Sequence, residues 1–249
     1  FSDENKIIAK SSNHKDCISI EGFMLNFLKQ KTTLPVPSVH YCKKNLILMD
    51  YLGNNYPLNQ KTEVFAADLI AALHNVSSEQ YGLKKTTHIG GLAQPNLYCK
   101  SWINFFRDQR LIFMSNHAFN EGLLTLETRL RMDTLCDKID KWIDEPPLPS
   151  LIHGDLWAGN VICEQNHLKG FIDPAIYFAN PEIELAFSTL FSTFNHTFFD
   201  RYKEHRIINP GFFEERRHVY NLYPLLVHLR LFGVKYLTQL EKILTRLGV

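Results

Sequence analysis

Metal-ligating spacing is missing from this chain of 249 residues. Its five cysteines, at 17, 42, 99, 136 and 163, are scattered and form no C-x-x-C pair. That excludes a zinc ribbon or a disulfide framework and fits a reducing compartment. Its 11 histidines include no H-E-x-x-H pattern. Charge of one sign is also missing: 27 Lys and Arg stand against 26 Asp and Glu, a net charge of +1. Nothing in that balance points to nucleic acid or an anionic membrane as partner. There is no apolar run long enough to span a bilayer and no signal-like start, so the sequence reads as a cytoplasmic protein. No internal repeat or low-complexity segment breaks the chain. Its length suits one large domain or two modest lobes.

What is present concentrates in Leu151–Asp173, LIHGDLWAGNVICEQNHLKGFID. His153-Gly154-Asp155 is followed five residues after the aspartate by Asn160. D-x-x-x-x-N is the spacing of a kinase catalytic loop, in which the aspartate accepts the substrate hydroxyl proton and the asparagine holds a metal. Val161–Cys163 and Leu168–Ile172 are apolar runs separated by the polar turn Glu164-Gln165-Asn166-His167, a hairpin signal. A hairpin returns the chain to its starting edge, so Asn160 and Asp173 can converge on magnesium while Asp155 faces an acceptor hydroxyl. The plainer alternative is turn hydrogen bonding by Asp155 and Asn160 and an ordinary strand exit at Asp173-Pro174. The joint pattern favours the kinase reading.

HGDLWAGN together with IDPAIY resembles the fructosamine kinase family, a branch of the aminoglycoside-phosphotransferase-like and protein-kinase-like enzymes. The HGD-x-x-x-x-N pattern and the later aspartate belong to that whole superfamily. Trp157, Asp173-Pro174-Ala175 and Tyr177 point more narrowly to fructosamine kinases. Gln94–Asn96 (QPN), Ser101–Leu111 (SWINFFRDQRL) and Asn180–Phe191 (NPEIELAFSTLF) agree. The similarity runs from about Lys10 to the C-terminus.

In chain order, Lys6–Lys10 reads as a strand, and Lys10 as the lysine that contacts the ATP phosphates. Ile18–Leu28 carries Ile20, Phe23, Met24, Phe27 and Leu28 at helical spacing. Glu21 on that helix is the candidate ion-pair partner of Lys10, with a surface glutamate as the alternative. Leu46–Met49 is an apolar strand leading into Asp50-Tyr51-Leu52-Gly53. The resemblance implies that Met49, Asp50, Tyr51 and Leu52 form the hinge where main-chain groups bind adenine. Kinase-like small lobes also place a glycine-bearing, phosphate-covering loop before the lysine strand. No glycine occurs among the nine residues ahead of Lys10, so the small lobe is expected to be incomplete at its start.

Lys61–His74 reads as a helix with Val64, Phe65, Leu69, Ile70 and Leu73 in the core, and His74 as structural. Tyr81–Asn96 reads as loop, and Trp102, Phe105, Phe106 and Leu111 as core with Arg107 and Arg110 on a solvated face. Thr125–Asp144 reads as one long helix turning Leu126, Leu130, Leu135, Ile139 and Ile143 inward. A helical tail follows from Leu222 to Leu240, with a local break at Gly233. Asp200 and Glu214-Glu215 read as solvated surface. No A-P-E signature or activation segment follows Asp173, which argues for a small-molecule acceptor.

The expected fold is α+β, two-lobed and protein-kinase-like, with residues 1–52 as the ATP-binding lobe and 53–249 as the helical lobe. The resemblance implies an ATP- and Mg2+-dependent kinase acting on the 3-hydroxyl of a ketosamine of the fructosamine, ribulosamine or erythrulosamine type. In that reading Asp155 is the base, Asn160 and Asp173 hold the metal, Lys10 and Glu21 serve the phosphates, and Trp157 walls the acceptor pocket. The alternatives are an aminoglycoside or other small-alcohol kinase, and a catalytically silent ATP-binding protein of the same fold. The sequence leaves the oligomeric state open.

Overall fold

The computed structural model of the chain describes residues 6–12 and 17–249. The expectation about a phosphate-covering element concerns residues outside that range. The chain first builds β1 (Ile7–Ser11), α1 (Cys17–Lys31), β2 (Val39–Lys43) and β3 (Leu46–Asp50). The three strands make an antiparallel sheet in the order β1-β3-β2. Alternation along β3 turns Ile47 and Met49 inward, where Met24, Leu25 and Leu28 of α1 cover them. β2, which carries little apolar patterning, was not expected. The inward face of α1 also differs from the sequence reading: Ile18, Glu21 and Leu25 are buried, while Ile20, Phe23 and Phe27 are only half-buried. Glu21 turns inward because it has a cation to meet there.

The rest of the chain is mainly helical. α2 (Gln60–His74) starts at Asn59, whose side chain accepts from the Thr62 N–H in a capping box. Then come β4 (Thr87–Ile89), β5 (Leu92–Gln94), α3 (Trp102–Phe106), a π-type turn Arg107–Ile112, α4 (Phe113–Asn120) and α5 (Leu126–Asp137). Short strands follow: β6 (Ser150–Ile152), β7 (Val161–Glu164), β8 (His167–Phe171) and β9 (Tyr177–Ala179). The chain closes with α6 (Glu182–Leu190), α7 (His196–His205), α8 (Arg217–Phe232) and α9 (Leu237–Arg246). The expected hairpin is β7–β8, and the expected break falls at Gly233 (φ 86°) between α8 and α9.

Residues 81–96, expected as loop, contain the β4–β5 hairpin, turning at Gly90-Gly91. On α2, Ile70 and Leu73 are core as expected and Leu69 packs half-buried against it, but Val64 lies outside the core and Phe65 is 53% exposed; Thr62, Glu63, Ala66 and Ala67 are buried in their place. The long helix expected over 125–144 ends at Asp137 and gives way to a short turn, Ile139–Lys141. Leu126 and Leu130 lie outside the core, on a face of α5 that no other described element covers, while Leu135, Ile139 and Ile143 lie within it. Arg110 is fully buried rather than solvated. The π-type turn changes the helical phase, and the guanidinium enters a cage 3.9 Å from the Tyr177 ring and 4.7 Å from Phe105. It donates to the Pro95 carbonyl and to Asn96 Oδ1 at 2.6 Å each, so the buried charge is hydrogen-bonded. Among the described residues no helix is long and apolar enough to cross a membrane.

Candidate active site

Lys10 on β1 and Glu21 on α1 face each other where the small lobe meets the rest of the chain. Lys10 Nζ lies 2.9 Å from Glu21 Oε2 and 2.9 Å from Asp173 Oδ1. Burial alone would lower the Lys10 pKa, but Asp173 and Glu21 outweigh it and hold the ammonium above its ordinary value. Glu21 is pushed up by its own burial, against the pull of Lys10. These three side chains and Asp155 line one cavity of about 330 Å3. Asp173 sits just beyond β8 with φ 51°, a left-handed conformation that aspartate tolerates better than most residues.

Asp155 lies in the loop between β6 and β7. Asn160 Nδ2 donates to Asp155 Oδ2 and to the Asp155 carbonyl, both at 2.9 Å. One carboxylate oxygen is thereby fixed, and the other is left for a proton. Burial pushes the Asp155 carboxyl up to about 7; the Asn160 hydrogen bond opposes the rise, and the carboxylates of Asp173 and Glu184 add to it. Such a group can take a proton from a hydroxyl near neutral pH.

The loop is held from beneath by Glu184, which the sequence reading did not assign, and by His74, which it took as structural. Glu184 Oε1 accepts the Gly154 N–H at 2.7 Å, and Glu184 Oε2 meets His74 Nε2 at 2.8 Å. His74 Nδ1 lies 2.7 Å from the Tyr202 hydroxyl. A neutral His74 satisfies both contacts, with Nε2–H donating to the carboxylate and Nδ1 accepting from tyrosine. Burial lowers the His74 pKa accordingly. Burial would raise Glu184, but hydrogen bonds from His74 and Gly154 hold it below its ordinary value.

Gly154 (φ +86°) is irreplaceable here, because a Cβ would stand 2.1 Å from the Ala175 carbonyl oxygen. That carbonyl also accepts Gln94 Nε2 at 3.0 Å, and Gln94 Oε1 accepts the Tyr223 hydroxyl at 2.6 Å. Gln94 therefore ties β5 and α8 to the segment after Asp173.

Trp157 is 40% exposed beside Asp155. Its ring lies across Gly159, where a Cβ would come within 2.4 Å of it. From Trp157 an aromatic row continues to Phe191 at 6.4 Å, His228 at 4.9 Å from Phe191, and Phe232 at 5.3 Å from His228. The β4–β5 turn at Gly90-Gly91 also lines the cleft, and Gly90 lies against Leu231 of α8. Sequence spacing gave no sign of this convergence, since its parts lie far apart along the chain.

The four residues expected at the hinge behave differently from one another. Met49 is buried in the small lobe. Asp50 accepts from Ser38 N–H at 2.9 Å and meets His40 Nε2 at 2.6 Å. The Tyr51 N–H donates to the Lys6 carbonyl at 3.3 Å. Leu52 lies near Gly170, on the β7–β8 hairpin.

Among the described residues no three His, Cys, Asp or Glu side chains form a ready-made metal cluster. Asn160 and Asp173 nevertheless suit a hard cation. With Nδ2 committed to Asp155, Asn160 keeps Oδ1; with Oδ1 committed to Lys10, Asp173 keeps Oδ2.

The fructosamine kinase family profile matches residues 7–248. A probable ketoamine kinase of Vibrio parahaemolyticus is 31% identical over 247 residues, covering 95% of this chain and 81% of that protein. The probable ketoamine kinase YniA of Escherichia coli K12 is 31% identical over 233 residues, covering 91% of this chain and 79% of its own. A Thermobifida fusca crystal structure bearing the fructosamine-3-kinase name superposes with TM-score 0.89 at 27% identity, covering 98% of this chain and 86% of that one. A macrolide 2'-phosphotransferase superposes with TM-score 0.62 at 17% identity, covering 98% and 84%, a likeness of fold alone. The fold is thus the two-lobed, protein-kinase-like one. A profile match over nearly the whole chain, joined by relatives of this identity and coverage, is decisive: the chain belongs to the fructosamine kinase family and is a phosphotransferase.

Proposed function

We propose that this protein transfers the γ-phosphoryl group of ATP to the 3-hydroxyl of a ketosamine, a sugar joined to an amine. Residues 1–52 serve as the ATP-binding lobe and 53–249 as the lobe that binds the acceptor. The observation that carries the reading is the Asn160 amide clamped on Asp155 in the same cleft as the Lys10–Glu21–Asp173 cluster. Lys10, steadied by Glu21, binds phosphate oxygens, and the main chain around Asp50–Leu52 receives the adenine. Asn160 Oδ1 and Asp173 Oδ2 would hold Mg2+, which neutralises phosphate charge when bound. Asp155 orients the acceptor hydroxyl and takes its proton as the oxygen–phosphorus bond forms. Little covalent chemistry falls to the protein, so most of the rate comes from position and charge.

The metal assignment has its own consequence. Asp173→Asn removes a hard anionic ligand while keeping the side chain's shape. It should weaken MgATP by roughly tenfold, about 1.4 kcal/mol, and leave metal-free ATP much less affected. Calorimetric titrations of ATP with and without Mg2+ check this; identical changes in both would remove Asp173 from the metal site.

The acceptor class follows from what surrounds Asp155. A site for multi-ring aminoglycosides needs free carboxylates to receive several cations. Here Glu184 is occupied by His74 and Gly154, while Glu21 and Asp173 are occupied by Lys10. The open side is the aromatic row led by Trp157, which suits one sugar face stacked on a ring. His228 Nδ1 lies 2.7 Å from the Pro224 carbonyl and donates to it, leaving Nε2 as an acceptor for a sugar hydroxyl. With labelled ATP, a fructosyl- or ribulosyl-lysine should exceed kanamycin-like acceptors in kcat/KM by at least about tenfold. Preference for the aminoglycosides would overturn the substrate while leaving the phosphotransfer intact.

A further inference from the structure

Away from the catalytic cleft, the C-terminal part of α6, the N-terminal part of α8 and α9 line a solvent-open pocket of about 550 Å3. Arg217 and His218 of α8 and Lys242 and Arg246 of α9 line it, and no carboxylate does. It shares no lining residue with the cleft that holds Lys10, Asp155 and Asp173. Among the described residues, none of Arg217, Lys242 and Arg246 makes an ion pair with a carboxylate. Arg246 donates only to a main-chain carbonyl, that of Glu214, at 3.0 Å. Elsewhere in the molecule Arg129, Arg201, Arg216 and Arg230 each meet a carboxylate, and Arg110, Arg131 and Arg206, which do not, each donate to at least two protein oxygens.

A second observation points the same way. Arg217 Nε, His218 Nε2 and Asn221 Oδ1 are all buried without a hydrogen-bond partner, and all three residues line this cavity. Buried polar atoms are nearly always paired with protein, water or a ligand. Asn221 is only 5% exposed, and its Nδ2 reaches Thr189 Oγ1 at no better than 3.5 Å. His218 has its pKa lowered by burial and then by Arg246 and Arg217, which places those two charges within electrostatic reach of the ring. Gathering like charges around a partly desolvated cavity costs free energy that a bound anion would return.

The unmet atoms specify the ligand's chemistry. Two guanidinium groups and an ammonium call for a polyvalent oxyanion, and the planar fork of arginine matches phosphate in particular. Asn221 Oδ1 is an acceptor and calls for a hydroxyl donor. We propose that this cavity is a second, non-catalytic site for a small phosphorylated sugar or polyol, its phosphate held by Arg217, Lys242 and Arg246 and a hydroxyl donated to Asn221. The site stands on α8 at whole-turn offsets from His228: Asn221 is seven residues before it and Arg217 eleven. At ~1.5 Å per residue, the two lie on the same helical face, roughly 10–16 Å along the axis from the aromatic row beside Trp157. Two sources can supply such a compound, a phosphorylated sugar of the surrounding solution or the enzyme's own phosphorylated product. The second source rests on the phosphotransfer proposed above; the first does not.

The test is equilibrium binding to the full chain, with no turnover required. Fructose 6-phosphate should bind wild type with a Kd below about 1 mM, and fructose should show no binding at that concentration. Lys242→Gln/Arg246→Gln changes two exposed side chains of α9 and should weaken fructose 6-phosphate at least about tenfold with an unchanged melting temperature. Arg217→Gln should do the same, and saturating MgATP should displace nothing. A chemically synthesised ketosamine 3-phosphate forms the second arm; binding that is lost in the double variant identifies the product as a ligand of this cavity. Unaltered fructose 6-phosphate affinity in both variants, competition by MgATP, or no binding by wild type would each overturn the proposal. Equal affinity for inorganic phosphate would overturn its sugar component. A protein that binds through these residues yet phosphorylates no ketosamine would overturn the proposed function and leave this site standing.

Discussion

Asp155→Asn should lower turnover on a ketosamine by about two to four orders of magnitude, the range of a positioned general base. The substitution keeps the shape of the side chain and an oxygen for the Asn160 amide, which now donates to Asp155 Oδ2 at 2.9 Å. What it removes is the negative charge and the ability to accept a proton. ATP affinity should change less than about twofold, because the lysine cluster proposed for the phosphates is untouched. Single-turnover rates, measured beside ATP binding, separate the two quantities. A variant that retains most of its turnover would take Asp155 out of the chemistry. A variant that loses ATP binding in proportion would make it a nucleotide ligand instead.

Glu184→Ala carries the largest expected loss of stability. The carboxylate is wholly buried between His74 Nε2 and the Gly154 N–H, so deleting it strands two buried donors at once. Each buried donor left without its partner costs about 1–3 kcal/mol, so the two together cost about 2–6 kcal/mol. Urea denaturation should show this as a lower midpoint with an unchanged slope. Glu184→Gln keeps an acceptor for Gly154 and should recover part of the stability. The pH dependence has a defined sign. His74 has its pKa lowered in the folded state, so the unfolded chain binds the extra proton first as pH falls below about 6.5, and stability declines. Glu184, also lowered, contributes stability that is full above about pH 4.3 and is lost as pH falls through its folded value. Both act in the same direction, toward loss in acid. His74→Gln should flatten the decline between pH 6.5 and 5, roughly the span of histidine titration. An unchanged acid profile in that variant would show that the pair does not govern it.

The sequence by itself determined the parts of this protein whose partners are close along the chain. Asp155 and Asn160 are five residues apart, and one loop turn brings the amide onto the carboxylate. The β7–β8 hairpin was legible because two apolar runs flank a polar turn, and the family was legible because HGDLWAGN and IDPAIY are contiguous words. Lys10 and Glu21 were legible as a strand lysine followed by a helix glutamate, and the structure brings them to 2.9 Å. Tertiary structure alone decided what lies beneath and beside that loop. His74 and Glu184 meet across 110 residues, and Gln94 and Tyr223 across 129, distances over which no periodicity carries information. Arg110 read as solvated because helical spacing assumes an unbroken phase, which the π-type turn alters. Leu126 and Leu130 read as core because apolar periodicity reports a face without saying whether another element covers it. The aromatic row from Trp157 to Phe232 and the cationic cavity at Arg217 are of the same kind. Each is assembled from separate elements whose relative placement is set by how the whole core packs, and packing is a property of the folded chain rather than of any stretch of it.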